Sequence, residues 1–549
     1  MVASPTASPT RNAAVEQRLK EINETAITDL RRAMALAARA KADGIADPSI
    51  HHLLALELRD EGRFADAIAE LGHGLNLDPH DAKLLTTLGY CLLDLDRRQE
   101  AAKVFEAALK QNPHSPEANH GYGWAAERLG ALDAAQSGFA RAVGYNPKHA
   151  DALAGLSGLA ARKRDWTTAR DFANRALAVD PRQTDALMNL ARIDIGTGDY
   201  AGAERRLQDL VAMTGLHPMA RINAYALLGD ALDGAGLYRK AFAAYARGKS
   251  ELREAYRPTF ESEGVSNATE SVRGNMAEFL ETPVASWSAP SSPLKRERVH
   301  AFLTGFPRSG TTLLEQVLDT HPNVVALGER PLLIDAEAEF LTQRGGIARL
   351  AGVVGDLLEP FRESYWNKAR EFGAAAAKGA FVDKHPLSTI RLPLIAKVFP
   401  RAKIIFMIRD PRDVVLSCFR RSFNVNSSTY EFSTIEGAAR YYAAVMEAGA
   451  AYLDRLPLDT HKIRYEDLVA DFEGQTKALC EFLGIEWTAR LRDFAETARA
   501  NAIATPSSTQ VGRGLYESGV EQWRNYDFAL EPVLPVLQPW IERFGYSKD

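Results

Sequence analysis

A 34-residue rhythm governs the first half of this chain. Prolines stand at Pro79, Pro113, Pro147 and Pro181, in the segments NLDPHDAKLL, KQNPHSPEAN, GYNPKHADAL and AVDPRQTDAL, each step being 34 residues. Ten positions after each proline comes a small or fairly small residue: Gly89, Gly123, Ser157 and Ala191. Twenty-two after it comes alanine every time: Ala101, Ala135, Ala169 and Ala203. Small residues at fixed places let two helices cross closely, and a proline after Asp or Asn ends one repeat and opens the next. A chain built this way stacks one helix pair on the next.

These features resemble the tetratricopeptide repeat (TPR) family, whose helix pairs wind into a superhelix. The resemblance runs from residue 13 to 255, clean over four repeats and looser at both ends, where Pro48 and Pro218 break the strict step. It implies a concave surface that takes a protein or peptide, although an architectural or dimerising role fits the same pattern. Residues 1–12, rich in Ser, Thr and Pro, are expected to be disordered. Between 256 and 298 the period disappears; TPVASWSAPSSPLKRER reads as a linker, with one short helix at NMAEFLE.

At 549 residues the chain is too long for one ordinary core. Its 46% hydrophobic and 25% charged residues are those of a globular protein, and a net charge of −5 argues against general nucleic-acid binding. Cys91, Cys418 and Cys480 are too far apart for a disulfide framework or a zinc pair, which points to a reducing compartment. No apolar run approaches the roughly 18 residues of a membrane span. The expectation is a cytoplasmic protein.

From Val299 the grammar changes. HAFLTGF, NVVAL, AFVDK, AKIIFMIR and HKIRYEDL are short apolar runs separated by helical patterns. Such alternation predicts an α/β domain over 299–549, a parallel sheet with ligands at the carboxyl ends of its strands. Two polar motifs fall at such ends. In GFPRSGTTLLEQ, the amides of Ser309, Gly310, Thr311 and Thr312 open a helix, and Arg308 offers a planar fork for phosphate or sulfate. The loop is P-loop-like, yet threonine (Thr311) stands where a Walker motif has its lysine, so a nucleoside triphosphate with Mg²⁺ is disfavoured. In KIIFMIRDPRDVVLSCFR, a strand ends on Arg409, Asp410 and Pro411 start a helix, and Ser417 lies two turns along it.

Jointly the two motifs resemble the nucleotide-dependent sulfotransferases, in particular the tyrosylprotein and TPR-linked branches. The resemblance implies an enzyme that moves a sulfuryl group from 3′-phosphoadenosine 5′-phosphosulfate (PAPS) to a hydroxyl, without metal. It assigns PRSGTT to the 5′-phosphosulfate, and Arg409 with Ser417 to the 3′-phosphate. Tyr465 of RYEDLV and Ser508 with Gln510 of the later S-x-Q pattern match further nucleotide contacts. Before Trp523 the tyrosylprotein members carry a basic residue, and this chain has Gln522; Arg513 and Arg524 are nearby substitutes.

Two residues compete for the role of general base. Glu329, in LGERP, matches the glutamate of the tyrosylprotein branch; His385, in VDKHP, sits only imperfectly where small-molecule members place a histidine. Lys384 matches the lysine that stabilises the bridging oxygen. Nothing else in the chain reads as a catalytic centre: H-E-x-x-H, G-x-S-x-G and zinc spacings are missing. The acceptor stays open between a protein tyrosine and a glycan, lipid or metabolite. A silent TPR adaptor that binds PAPS is the reading from another class, and the presence of Arg308, Arg409, Lys384 and Glu329 together speaks against it.

Overall fold

A computed structural model describes residues 9–262, 264–265, 267–287, 299–496 and 519–547, with side chains from residue 13 onward. Of the expected disordered start and linker, residues 1–8, 263, 266 and 288–298 lie outside the described residues, whereas 9–12 already belong to helix Pro9–Thr28 and 256–260 continue helix Tyr238–Phe260. The chain forms two compact units, 1–197 and 198–549.

The first unit is helical. Pairs such as Ala82–Asp94 with Arg98–Gln111 and Pro116–Arg128 with Leu132–Tyr145 repeat along it. The Asp or Asn before each repeat proline has a direct structural reason. Asp78, Asn112, Asn146 and Asp180 each accept the amide two residues ahead, at 3.0, 3.3, 3.1 and 2.9 Å. Each is a side-chain-closed turn around its proline, repeated four times. The small residues answer to two phenylalanines, 34 positions apart. A Cβ at Gly89 or Gly121 would come within 2.6 or 2.2 Å of the Phe105 ring. At Gly123 or Gly155 it would come within 2.8 or 2.7 Å of the Phe139 ring. Ser157 fits by donating its hydroxyl to Ala169 O at 2.8 Å, and Ala101, Ala135 and Ala169 are fully buried.

The second unit opens with helices Tyr200–Ala212, Pro218–Gly234 and Tyr238–Phe260. The short helix expected at NMAEFLE is longer, Ala268–Glu281, because Asn267 and Glu270 close a capping box at its start. Five parallel strands follow: β1 (Val299–Thr304), β2 (Val324–Gly328), β3 (Ala380–Lys384), β4 (Lys403–Ile408) and β5 (Asp459–Arg464). Their order is β2-β3-β1-β4-β5. Strand side chains alternate between two faces. Ala301 and Leu303 share a core with Leu314, Val317 and Leu318 of helix Thr311–Asp319 and with Leu479 of helix Phe472–Leu483. His300 and Phe302 turn to the opposite face and meet Tyr365 of helix Glu359–Glu371 and Phe399. With helices on both faces, the α/β reading holds. The chain leaves β1 toward β2 and leaves β4 toward β5, so the order reverses between these two neighbours, where such sheets open a crevice.

Candidate active site

All the strands point one way, so the segments after β1, β2, β3, β4 and β5 emerge at one edge of the sheet. Here the structure collects Arg308, Glu329, Lys384, Arg409 and Tyr465, which lie between 21 and 157 residues apart in sequence. A cavity of about 380 Å³ opens at this edge, lined by Arg308, Gly310, Glu329, His385, Arg409 and Tyr465 among others.

The loop after β1 depends on two glycines. At Gly305 (φ 152°) a Cβ would stand 2.5 Å from Met407 O of β4, so only glycine lets the loop leave the sheet so close to its neighbour. At Gly310 (φ 96°) a Cβ would stand 2.7 Å from the Tyr465 ring. Gly310 is also the N-cap of helix Thr311–Asp319 and supplies no side-chain cap. The first-turn amides of that helix are therefore open to an anion without competition from a capping side chain. Ser309, Thr311 and Thr312 are buried around the turn.

The two anion motifs meet. Arg308 Nε donates to Ser417 Oγ at 2.9 Å, and Arg409 Nη1 donates to Arg308 O at 3.0 Å. Arg409 also reaches Gly519 O, and its guanidinium lies 4.7 Å from the centre of the Tyr465 ring. Asp410 caps helix Pro411–Arg420 by accepting the Arg412 amide at 2.9 Å. Asp413 on the same helix accepts the amides of Glu521 and Trp523, both at 2.9 Å, and ties the late loop to it; burial pushes its carboxyl up to about 6. Arg412 and Arg524 lie over the Trp523 ring at 3.6 and 4.7 Å, so guanidinium groups flank this tryptophan although Gln522 precedes it. Ser508, Gln510 and Arg513 lie outside the described residues.

The second half of the site is a lysine between two carboxylates. Lys384 is fully buried at the end of β3, and its Nζ lies 2.7 Å from Glu329 Oε1 and 3.0 Å from Glu315 Oε2. Burial pulls the ammonium down, but the two carboxylates outweigh it and raise its pKa. Burial lifts the Glu315 carboxyl, against the pull of Lys384. The Glu329 side chain is 43% exposed on the cavity wall, and its amide donates to Lys384 O at 2.7 Å. Glu329 (φ 45°) and Arg308 (φ 72°) both adopt the left-handed backbone, the kind of local cost a functional turn tolerates. His385 lines the same cavity. Burial, then Arg391 and Lys384, hold its imidazole far below the usual histidine range, and among the described residues its Nδ1 has no hydrogen-bond partner.

Glu315 escaped the sequence reading. It sits in TTLLEQVL, where one glutamate on a helix reads as a solvated position, yet it is 7% exposed. The signal available was Gly328 before Glu329: a Cβ there would come within 2.4 Å of Glu315 Oε1.

The sulfotransferase family model matches residues 301–489, and a tetratricopeptide repeat model matches 58–119, 92–159 and 160–221. The chain carries a sulfotransferase domain together with tetratricopeptide repeats. An uncharacterized protein of Aquifex aeolicus is 29% identical to it over 254 residues, 44% of this chain and 32% of that protein. Protein-tyrosine sulfotransferase 1 of Danio rerio is 25% identical over 258 residues, 45% of this chain and 72% of that protein. An omega-hydroxy-beta-dihydromenaquinone-9 sulfotransferase of Mycobacterium tuberculosis is 29% identical over 180 residues, 30% of this chain and 41% of that protein. The chain thus spans about a third of the length of the Aquifex relative. Every residue lining the cavity falls inside the matched sulfotransferase stretch, and the late loop lies beyond it. Among the described residues no group of His, Cys, Asp and Glu could hold a metal ion, and no helix is long and apolar enough to cross a membrane.

Proposed function

We propose that the sulfotransferase domain moves a sulfuryl group from PAPS to an acceptor hydroxyl, with a protein or peptide engaged by the repeat region. The carrying observation is that Arg308, Arg409 and Glu329 line one cavity: a double-guanidinium cradle on one side, and on the other a carboxylate with the buried Lys384 ammonium 2.7 Å behind it. The two glycine positions that a Cβ would block, the uncapped helix start and Arg308 fit a 5′-phosphosulfate. Arg409 and Ser417 stand beside them for a second anion, the 3′-phosphate, with Tyr465 under the guanidinium and Ser508 assigned to the same nucleotide by the family pattern.

PAPS supplies an activated sulfuryl group whose transfer forms an acceptor O–S bond and breaks the bond to the bridging oxygen. Glu329, exposed to the cavity, takes the acceptor proton. Lys384 meets the negative charge that grows on the bridging oxygen. Glu315 has a role too. When Glu329 takes up a proton and its charge vanishes, Glu315 remains 3.0 Å from Lys384 as counter-ion, so the ammonium is never buried alone. Arg308 neutralises the transferring group from the donor side. His385, kept neutral by burial on the same cavity wall, is the alternative base.

The decisive test offers labelled PAPS with tyrosine peptides, oligosaccharides and a hydroxylated lipid, and follows label into a sulfate ester. Transfer to any hydroxyl without added metal supports the reading, and transfer to a peptide supports the protein-acceptor form. Failure to bind adenosine 3′,5′-bisphosphate more tightly than AMP would overturn it.

A further inference from the structure

Ser417 receives Arg308 from the middle of helix Pro411–Arg420, so the placement of that helix sets the donor cradle. Its start is fixed by the Asp410 cap and by Asp413, a helix residue that accepts amides of the late loop. Its end runs into the helices that precede the sheet. Arg420 Nη2 lies 2.6 Å from Asp233 Oδ2, and the Arg420 side chain is only 6% exposed. Arg421 Nη1 lies 3.2 Å from Asp230 Oδ2. Lys249 Nζ donates to Arg421 O at 2.7 Å, at the helix C-terminus, where a cation matches both the orphan carbonyl and the helix dipole. Tyr245 donates to Asp230 Oδ1 at 2.7 Å, and Tyr526 donates to Asp233 Oδ1. The Arg420 guanidinium lies 5.3 and 5.0 Å from the centres of these two rings. Phe242 stacks on Phe419 at 5.1 Å.

Asp230, Asp233, Tyr245 and Lys249 all lie on Pro218–Gly234 and Tyr238–Phe260, and Arg420 and Arg421, which they clasp, stand 172 to 191 residues away. A loose packing of two modules would not need to bury two cations, Arg420 and Lys249, at one helix end: removing the partner of a buried charge leaves that charge uncompensated. We infer that Asp230, Asp233 and Lys249 are positioning residues for the donor site, holding the end of helix Pro411–Arg420 so that Ser417 stays under Arg308. This inference rests on the sulfotransferase reading for its consequence, though not for the clasp itself. The helical region before the sheet then contributes to nucleotide affinity without touching the nucleotide.

The test uses the full chain in four forms: unchanged, Asp233→Asn, the double variant Asp230→Asn with Lys249→Met, and Leu350→Ala. Leu350 is fully buried in helix Gly346–Gly352 and belongs to none of these contacts, so its variant reports general destabilisation. The double variant spares the most buried pair and keeps the test alive if Asp233→Asn does not fold. Amide exchange of residues 411–421 is read beside calorimetric affinity for adenosine 3′,5′-bisphosphate and for AMP. Loss of the clasp is expected to speed exchange of the helix end about tenfold or more, as local opening becomes easier, while Leu350→Ala leaves that segment protected. Affinity for adenosine 3′,5′-bisphosphate is expected to fall about tenfold in the clasp variants and to stay near that of the unchanged chain in Leu350→Ala. Unchanged exchange at 411–421 overturns the clasp. Faster exchange with unchanged affinity, or an equal affinity loss in Leu350→Ala, overturns the positioning role. If the unchanged chain binds no adenosine 3′,5′-bisphosphate, the sulfotransferase reading falls, and the exchange comparison still judges the clasp.

Discussion

Replacing Glu329 with glutamine removes one negative oxygen pair from the cavity and changes little else. Lys384, fully buried, now touches Glu329 at 2.7 Å and Glu315 at 3.0 Å, so after the change its charge still has a partner. The Glu329 side chain is 43% exposed, and solvent screens the lost attraction to about 1 kcal/mol or less. Stability and donor affinity are therefore expected to stay close to those of the unchanged protein. Turnover is expected to fall by ~10²–10⁴-fold, the range for a positioned general base. Lys384→Met is a poorer probe, because it leaves Glu315 buried and unpaired at a cost of ~3–5 kcal/mol. The assay is single-turnover transfer from labelled PAPS to the acceptor found in the panel, run beside calorimetry with adenosine 3′,5′-bisphosphate. A Glu329→Gln protein that transfers within about threefold of the unchanged rate refutes the assignment. If His385→Ala loses activity in the same experiment, the base is His385.

Arg409→Ala removes a guanidinium that holds the Arg308 carbonyl and lies over Tyr465; affinity for adenosine 3′,5′-bisphosphate is expected to drop ~10-fold or more, with the preference over AMP largely erased in titration calorimetry. Gly123→Ala pushes a methyl to 2.8 Å from the Phe139 ring and 3.1 Å from Ala135 O, overpacking expected to cost ~1–3 kcal/mol in urea unfolding of the repeats. A stability equal to that of the unchanged chain would show that the repeat spacing is not set by that contact. Asp383 carries a pH dependence of known sign. Burial pushes its carboxyl up to about 7 from the ordinary 3.8, so between these values the folded chain holds a proton that the unfolded chain has released. Its contribution to stability therefore falls as pH rises from about 4 to 7, and Asp383→Asn removes that slope while keeping an oxygen for the Tyr365 hydroxyl, which donates at 2.9 Å. Thermal melts of both proteins across this range check it; parallel curves contradict the shift.

The features legible in the sequence are those that local chemistry dictates. Asp78, Asn112, Asn146 and Asp180 close turns with amides two residues away, so the repeat shows in a linear text. The strand ends and the helix starts after Gly310 and Asp410 are equally local, and a parallel sheet brings all such ends to one edge. Arg308, Glu329, Lys384, Arg409 and Tyr465 could be named from motifs for that reason.

What the text could not show is which of these side chains touch. That Arg308 spends its Nε on Ser417, or that Arg409 grips the Arg308 carbonyl, follows from the neighbouring placement of β1 and β4, 101 to 109 residues apart. Glu315 becomes the second carboxylate of Lys384 only because Gly328, on the far side of β3, leaves room for it. The Arg420–Asp233 pair joins residues 187 apart whose own surroundings look like ordinary charged helix ends. A side chain's periodicity and caps depend on neighbours a few residues away, whereas its burial and its ion partner depend on whatever the fold carries next to it. Burial decides whether a charge is an idle surface group or a held one, and only the tertiary structure buries it.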